Sequence, residues 1–298
     1  MPDPLISICI PAYKAEHFIG ETLASVKAQT FTDWELIVTE DGSRDRTEEI
    51  VTAFAATVPQ TVSYGRHDPN RGLPATRNAG ITAARAQWIS LLDSDDLWTP
   101  DHLAVCIETA KQSHAEFIHG GSVLFNSDTG KTLETRAPST EDCRTLTLSL
   151  FKAHYVIQPS SVLFRREIWE RAGKFDPSFR YVEDRDMWLR CARAGARIEY
   201  TGRITCRYRK HTSALSTHSA PMAEAAARVF EKHLDWEAIP KNLRRDLCAE
   251  AWAAAAKLRW RAEPKIANGH LRHACNIHWR FRWWAHSVLC WILAKSNH

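Results

Sequence analysis

Several things this 298-residue chain lacks narrow what it can be. No apolar run is long enough to span a bilayer. No basic stretch followed by an apolar one opens the chain, so a cleaved signal peptide is not expected. The eight cysteines (Cys9, Cys106, Cys143, Cys191, Cys206, Cys248, Cys275, Cys290) form no C-x-x-C pair and no zinc-like cluster. They are expected to be reduced, mostly buried thiols of a cytoplasmic protein. A net charge of only +4 asks for no nucleic-acid partner. No Gly-rich loop follows the first apolar run, which ends in Pro11-Ala12-Tyr13, so the triphosphate cradle of a nucleotidyltransferase is missing. There is no internal repeat and no low-complexity linker. What remains is an ordinary globular composition, 44% hydrophobic and 25% charged. The length suits one large α/β domain or a domain with an appendage.

What is present is organised around Ser90-Leu91-Leu92-Asp93-Ser94-Asp95-Asp96-Leu97-Trp98. An apolar run from Trp88 ends there in three carboxylates spread over four residues. Like charges this close repel, and buried carboxylates shift their pKa or find a cation. Hard oxygen ligands at a strand end suit Mg²⁺ or Mn²⁺, shared with substrate phosphates. The alternative is an acidic turn in which Asp95 or Asp96 caps a helix.

The stretches on either side build a sheet edge. Leu5 to Ile10, closed by Pro11, suits a buried strand. A helical pattern follows, with Ile19, Leu23 and Val26 on one face. Trp34 to Val38 reads as a second strand ending in Thr39-Glu40-Asp41-Gly42-Ser43, after which Asp45 and Glu48 stand at capping-box spacing. Strand, helix, strand, helix implies right-handed crossovers and a parallel sheet. Ligands bind beyond the carboxyl ends of such strands, where Pro11-Ala12-Tyr13, Glu40-Asp41 and Asp93 to Asp96 all fall. In Asn70-Arg71-Gly72-Leu73-Pro74, Gly72 permits a turn and Pro74 suits the first helical position. Arg71 and Arg77 then either meet phosphate in the crevice or pair with carboxylates.

The ordered set Ser7 to Tyr13, Gln29-Thr30-Phe31, Trp34 to Val38, Glu40-Asp41-Gly42-Ser43, Asn70-Arg71-Gly72, Ala75-Thr76-Arg77-Asn78-Ala79-Gly80 and Leu92 to Asp96 resembles the family 2 glycosyltransferases. These are inverting enzymes of GT-A fold that use nucleotide-diphospho-sugars. The resemblance covers about residues 5 to 215 and implies roles for particular residues. Asp41 matches the carboxylate that accepts the N3–H of uracil or thymine, Tyr13 the aromatic that stacks on the base, and Pro11 opens that loop. Asp93 and Asp95 match the D-x-D motif, contacting ribose and a divalent metal, with Asp96 the alternative metal ligand. Arg77 is implied to sit near the diphosphate. Glu40 departs from the commoner Asp-Asp pair and blurs the nucleoside assignment.

Further along, Gln158-Pro159-Ser160-Ser161 and Trp169 to Asp176 also fit the family, and Tyr181-Val182-Glu183-Asp184-Arg185 resembles its Glu-Asp motif at a helix start. An inverting transfer needs one base to take the acceptor proton. Asp184 is the candidate, with Glu183 second, although either also suits a positive helix N-terminus. Tyr208-Arg209-Lys210-His211-Thr212-Ser213 matches another signature, which implies Arg209 and His211 at the diphosphate or, for His211, at the metal.

The expected architecture is α/β. A GT-A, Rossmann-like, mostly parallel sheet flanked by helices occupies residues 1–218, with a nucleotide-sugar half to about 98 and an acceptor half beyond it. A helical, Trp-rich, basic extension follows over 219–298, with helices expected over Ala223–His233 and Asp246–Arg261. It holds seven of the twelve tryptophans. Basic and aromatic residues flanking a short apolar core at 276–295 suit a helix in a membrane interface, whereas 220–270 reads as a helical subdomain packed on itself, on the catalytic domain or in a homo-oligomer. The expected activity moves a sugar from a nucleotide-diphospho-sugar, by default a UDP-sugar, to a polysaccharide, lipid-linked or other glycoconjugate acceptor. Mn²⁺ or Mg²⁺ assists, and the expected location is the cytoplasm, either free or at the inner face of the cytoplasmic membrane. The alternative is a non-catalytic nucleotide- or glycan-binding module on a degenerate transferase fold.

Overall fold

The structure, a computed structural model, describes residues 3–211, 219–281 and 283–288. The chain forms two compact units, Met1–His211 and Thr212–His298. The boundary expected at 218/219 borders residues 212–218, which lie outside the described residues, as do Thr212 and Ser213 of the Arg209–His211 signature.

The first unit is built on one sheet. Its strands are β1 (Ile6–Ala12), β2 (Trp34–Glu40), β3 (Val62–Arg66), β4 (Trp88–Leu91), β5 (Leu97–Trp98), β6 (Phe117–Asn126), β7 (Thr132–Arg136), β8 (Val162–Arg165) and β9 (Ile198–Lys210). The helices are α1 (Ile19–Lys27), α2 (Thr47–Ala55), α3 (Leu73–Ala83), α4 (His102–Ser113), α5 (Thr140–Arg144), α6 (Leu146–Lys152), α7 (Arg166–Arg171) and α8 (Glu183–Arg193). The spatial order is β3-β2-β1-β4-β8-β6-β9-β5, with β7 paired to β6. The first four strands are parallel. Beyond them β4–β8, β8–β6 and β9–β5 run antiparallel and β6–β9 parallel. The parallel character read from the strand–helix alternation is thus that of the first half, where crossover helices force it.

β1 lies centrally, and every one of its residues is buried. Ile6, Ile8 and Ile10 point with period two into a core shared with Ile19, Leu23 and Val26 of α1 and Leu36 and Val38 of β2. The opposite face carries Ser7 and Cys9 and receives α3. Close approach there depends on Gly80, whose added Cβ would stand 3.2 Å from the Thr39 hydroxyl and 3.6 Å from Cys9 Cβ. The capping box expected at Asp45 and Glu48 does not form. Asp45 instead accepts the N–H groups of Glu16 and Thr47, tying the loop after β1 to the start of α2.

The second unit consists of α9 (Ser219–Lys232), α10 (Lys241–Arg259), α11 (Pro264–Ile277) and a further helical stretch at 283–288. α9 starts ahead of the expected Ala223 and takes Pro221 into its first turn, where the missing N–H leaves no bond unmade. Alanines at 225, 249, 256, 267 and 274 are buried and let the helices approach closely. Glu224 pairs with Arg259 and His270, and Glu231 with the Trp252 indole and His273. Among the described residues no helix is long and apolar enough to cross a membrane. Those cysteines that are described are free thiols, with Cys143 the exposed one.

Candidate active site

The carboxyl ends of β1, β2 and β4 bring the expected residues to one edge of the first unit. Pro11 and Ala12 close β1, and Tyr13 follows with its ring half exposed. Lys14 then takes a positive φ of 51°, a conformation unusual for a side chain of this size, and its N–H donates to Ser43 Oγ. At the end of β2, Glu40 is buried and folds back on its own turn, accepting from the backbone N–H of Gly42 and Ser43 and from the Ser43 hydroxyl. The longer Glu side chain therefore serves as the brace of this turn. Gly42 has a φ of 80°, and a Cβ there would lie 2.7 Å from Asn70 N.

Asp41 is buried and anchors the loop from His67 to Gly72. Its Oδ1 accepts the Arg71 N–H at 2.8 Å and meets His67 Nδ1 at 2.9 Å, while Oδ2 accepts the Gly72 N–H at 2.8 Å. Burial by itself would raise the Asp41 pKa, but the Arg71, His67 and Gly72 bonds outweigh it and hold the carboxyl below the usual range. Gly72, with a φ of 89°, leads into α3, where Pro74 sits at the second helical position. His67 carried no sequence signal, being one of 14 histidines without a motif around it.

One turn into α3, Arg77 is 1% exposed and reaches two carboxylates from different parts of the chain. Nη2 donates to Asp93 Oδ1 at 2.6 Å, and Nη1 to Glu183 Oε1. Its guanidinium also lies 5.6 Å from the Phe175 ring centroid. Arg77 thus sits beneath the crevice, binding the D-x-D turn to the start of α8. Of the two fates open to it, pairing with carboxylates is the one observed.

The turn after β4 separates the roles of its three aspartates. Asp96 is fully buried, with Oδ2 accepting from the Ser160 hydroxyl at 2.6 Å and Oδ1 from the Arg209 N–H at 2.9 Å. Burial and the neighbouring Asp95 and Asp93 charges push its pKa up. Buried and with each oxygen accepting a hydrogen bond, Asp96 is a strut of the turn. Ser160 also accepts the Asp93 N–H at 3.0 Å, so one hydroxyl ties the turn at two points. The Gln158-Pro159-Ser160-Ser161 stretch was recognisable, but this bridge was not. Asp95 is the more open group, its side chain 31% exposed, with Oδ2 2.9 Å from His211 Nε2. Arg209 supports the pair from below. Its Nε donates to the Asp95 carbonyl, Nη2 to Glu21, and its guanidinium lies 4.9 Å from both Phe18 and Phe125.

These residues fit a divalent cation at one place. Asp95 and His211 supply an oxygen and a nitrogen donor side by side at the mouth of the crevice. Among the described residues no group of three or more His, Cys, Asp or Glu is placed to hold a metal. The remaining ligands would be diphosphate oxygens and water, as is usual for Mg²⁺-type sites.

Glu183 and Asp184 open α8. Val182 before them has a φ of 52°, a strained conformation for a β-branched residue. Glu183 is buried, and burial with the Asp184 and Asp93 charges raises its pKa to about 7 against the pull of Arg77. Asp184 is only partly buried. Its Oδ1 accepts the Arg185 N–H at 2.7 Å, and its other oxygen has no hydrogen-bond donor among the described residues. Burial raises its pKa as well, with Arg77 again opposing. The two acids differ in availability: Glu183 is held by Arg77, whereas Asp184 has one oxygen without a hydrogen-bond donor among the described residues.

Comparison with known proteins gives a consistent picture. A family model described as "Glycosyl transferase family 2" matches residues 7–173, more than half of the chain. EpsJ of Bacillus subtilis, described as an uncharacterized glycosyltransferase, is 32% identical over 72% of this chain, a match spanning 63% of EpsJ. The Escherichia coli protein WfgD, a "UDP-Glc:alpha-D-GlcNAc-diphosphoundecaprenol beta-1,3-glucosyltransferase", is 32% identical over 43% of this chain and 49% of its own length. Among solved structures, Staphylococcus aureus TarS 1-349 in complex with UDP-GlcNAc superposes with a TM-score of 0.68 at 16% identity, covering 91% of this chain and 81% of that one. The sheet and its flanking helices are those of the GT-A fold.

Proposed function

The chain belongs to glycosyl transferase family 2, and from that premise we propose that it transfers a sugar from a UDP-sugar to a hydroxyl of a lipid-linked or other glycan acceptor, with inversion at the anomeric carbon. The observation that carries the proposal is the joining, through Arg77, of the Asp93 turn to the Glu183-Asp184 helix start. One buried cation fixes the donor side and the base side in a single frame.

In this reading the uracil ring stacks on the exposed face of Tyr13, which Pro11 positions. It lies beside the loop that Asp41 and His67 hold, and the ribose meets the outward oxygen of Asp93. Asp95 and His211 would hold a divalent cation, which would offset the charge developing on the leaving diphosphate. Arg209 acts by keeping Asp95 in place, and Asp96 by locking the turn through Ser160. Asp184 takes the proton from the acceptor hydroxyl as that oxygen attacks the anomeric carbon. Its raised pKa makes it a better base than a solvated aspartate. Glu183, buried against Arg77, sets the orientation of the helix start. The activity for which WfgD is named supports a polyprenyl-diphosphate-linked sugar as the acceptor class.

The test is a transfer assay with UDP-sugars and a polyprenyl-diphosphate-linked N-acetylglucosamine acceptor, the product linkage being read by proton NMR. An α-linked donor is expected to yield a β-linked product. Asp184→Asn is expected to abolish transfer while UDP affinity stays within about threefold. An α-linked product, or an Asp184→Asn variant that still transfers, overturns the mechanism.

A further inference from the structure

The second unit carries a surface that sugar transfer does not explain. Four large apolar side chains crowd its last described segment, all solvent-exposed: Trp279 at 61%, Phe281 at 64%, Trp284 at 51% and Val288 at 39%. Their spacing is not random. Phe281, Trp284 and Val288 stand at i, i+3 and i+7, one face of a helix. Trp283 and Ser287, at i and i+4, are 6% and 7% exposed and form the inward face. This stretch therefore anchors itself through Trp283 and turns a second apolar stripe toward solvent. A soluble helix normally turns its charged side outward, and contiguous exposed apolar surface marks an interaction site.

Charge selects the partner. From Pro264 to His298 the sequence contains no Asp or Glu, against Lys265, Arg272, Arg280, Arg282 and Lys295. Arg280 is paired with Asp246 and Glu250, so the basic character of the stretch rests on Lys265, Arg272, Arg282 and Lys295, with no acidic group of its own. Aromatic rings with basic residues and no carboxylate match the boundary between phospholipid headgroups and acyl chains, where Trp and Phe are favoured and anionic headgroups attract Lys and Arg. A second copy of this chain would bring the same positive charge against itself, and the repulsion argues against a dimer through this face.

We propose that Trp279, Phe281, Trp284 and Val288 form a monotopic docking surface that seats the second unit on an anionic phospholipid membrane. The unit lies on the surface, in keeping with the lack of any membrane-crossing helix among the described residues. The docking is independent of donor chemistry. It gives the lipid-linked acceptor a place to be met, because an acceptor confined to the bilayer is reached by an enzyme confined to its face.

The test is co-sedimentation of the full chain with vesicles of phosphatidylglycerol mixed into phosphatidylcholine, compared with phosphatidylcholine alone, at low and high salt. Binding is expected on the anionic vesicles and is expected to weaken on the neutral ones and at high salt. The triple variant Trp279→Ser/Phe281→Ser/Trp284→Ser is expected to lose about tenfold or more in partitioning. It should keep its circular dichroism spectrum, since all three side chains are already in solvent. Leu133→Ser, which removes an exposed apolar side chain of the first unit, is expected to bind as the unaltered protein does. Four results overturn the proposal: no sedimentation with either vesicle, undiminished binding by the triple variant, equal binding to both vesicles at all salt, or a light-scattering dimer that the triple substitution dissolves without lipid. UDP titration of the same samples reports separately on the donor site, so loss of nucleotide binding with retained vesicle binding refutes the transferase reading alone.

Discussion

Replacing Arg77 by methionine removes one buried cation and leaves two carboxylates, Asp93 and Glu183, without their partner. Breaking a buried ion pair from one side costs about 3–5 kcal/mol, and here one side chain serves both acids, so the loss is expected at the upper end of that range. The cost must depend on pH in a definite direction. The Glu183 pKa is already raised in the fold, chiefly by burial, and without Arg77 it rises further. A group whose folded pKa exceeds its unfolded value favours the fold when protonated and opposes it when charged. The Arg77→Met deficit should therefore be largest above pH 7, where the unfolded chain releases the Glu183 proton while the variant's fold must keep it or bury an unpaired charge, and shrink as pH falls toward 6. With about 1.4 kcal/mol per pKa unit, the deficit should be about 1–2 kcal/mol smaller at pH 6 than at pH 8. Urea denaturation of both proteins at the two pH values measures it. The double variant Arg77→Met/Glu183→Gln, which no longer has a charge to bury at 183, should recover part of the loss and flatten the pH dependence. A deficit below about 1 kcal/mol, or one that grows as pH falls, refutes the assignment of Arg77 as the shared partner.

Ser160→Ala deletes the hydroxyl that joins Asp93 N–H to Asp96 Oδ2. It is expected to cost about 1–3 kcal/mol in urea denaturation and to weaken UDP binding through the loosened turn. Asp95→Asn and His211→Ala are each expected to lower the Mn²⁺ dependence of UDP binding while leaving metal-free binding nearly unchanged, as calorimetry with and without EDTA would report. Equal losses in both conditions would place these side chains on the nucleotide instead.

The strand ends were legible because hydrophobic runs and their punctuation are local. Ile6 to Ile10 closed by Pro11, Trp34 to Val38 closed by Glu40-Asp41, and Trp88 to Leu92 closed by Asp93 each declare a buried strand and its carboxyl end. Which aspartate of the Asp93–Asp96 turn stays open was not legible. That depends on Ser160 and Arg209, which come from 64 and 113 residues away to engage Asp96. Arg77 illustrates the same limit. Its place on α3 followed from Gly72 and Pro74, yet its partner Glu183 is 106 residues distant. His67 was silent because a single imidazole carries no periodicity, and its meaning appears only when the loop folds onto Asp41. The mixed second half of the sheet had no sequence counterpart, since strand direction there is set by long-range pairing of β6 with β8 and β9.

The central claim is that the crevice at Tyr13, Asp41 and Asp93 takes a nucleoside diphosphate with a divalent cation. Calorimetric titration of UDP into the full chain, with Mn²⁺ and again with EDTA, tests it most directly, with GDP and dTDP as comparators. The account predicts that UDP binds, that EDTA weakens it by about tenfold or more, and that GDP binds more weakly than UDP. Absence of binding by all three nucleotides to a folded sample would contradict it.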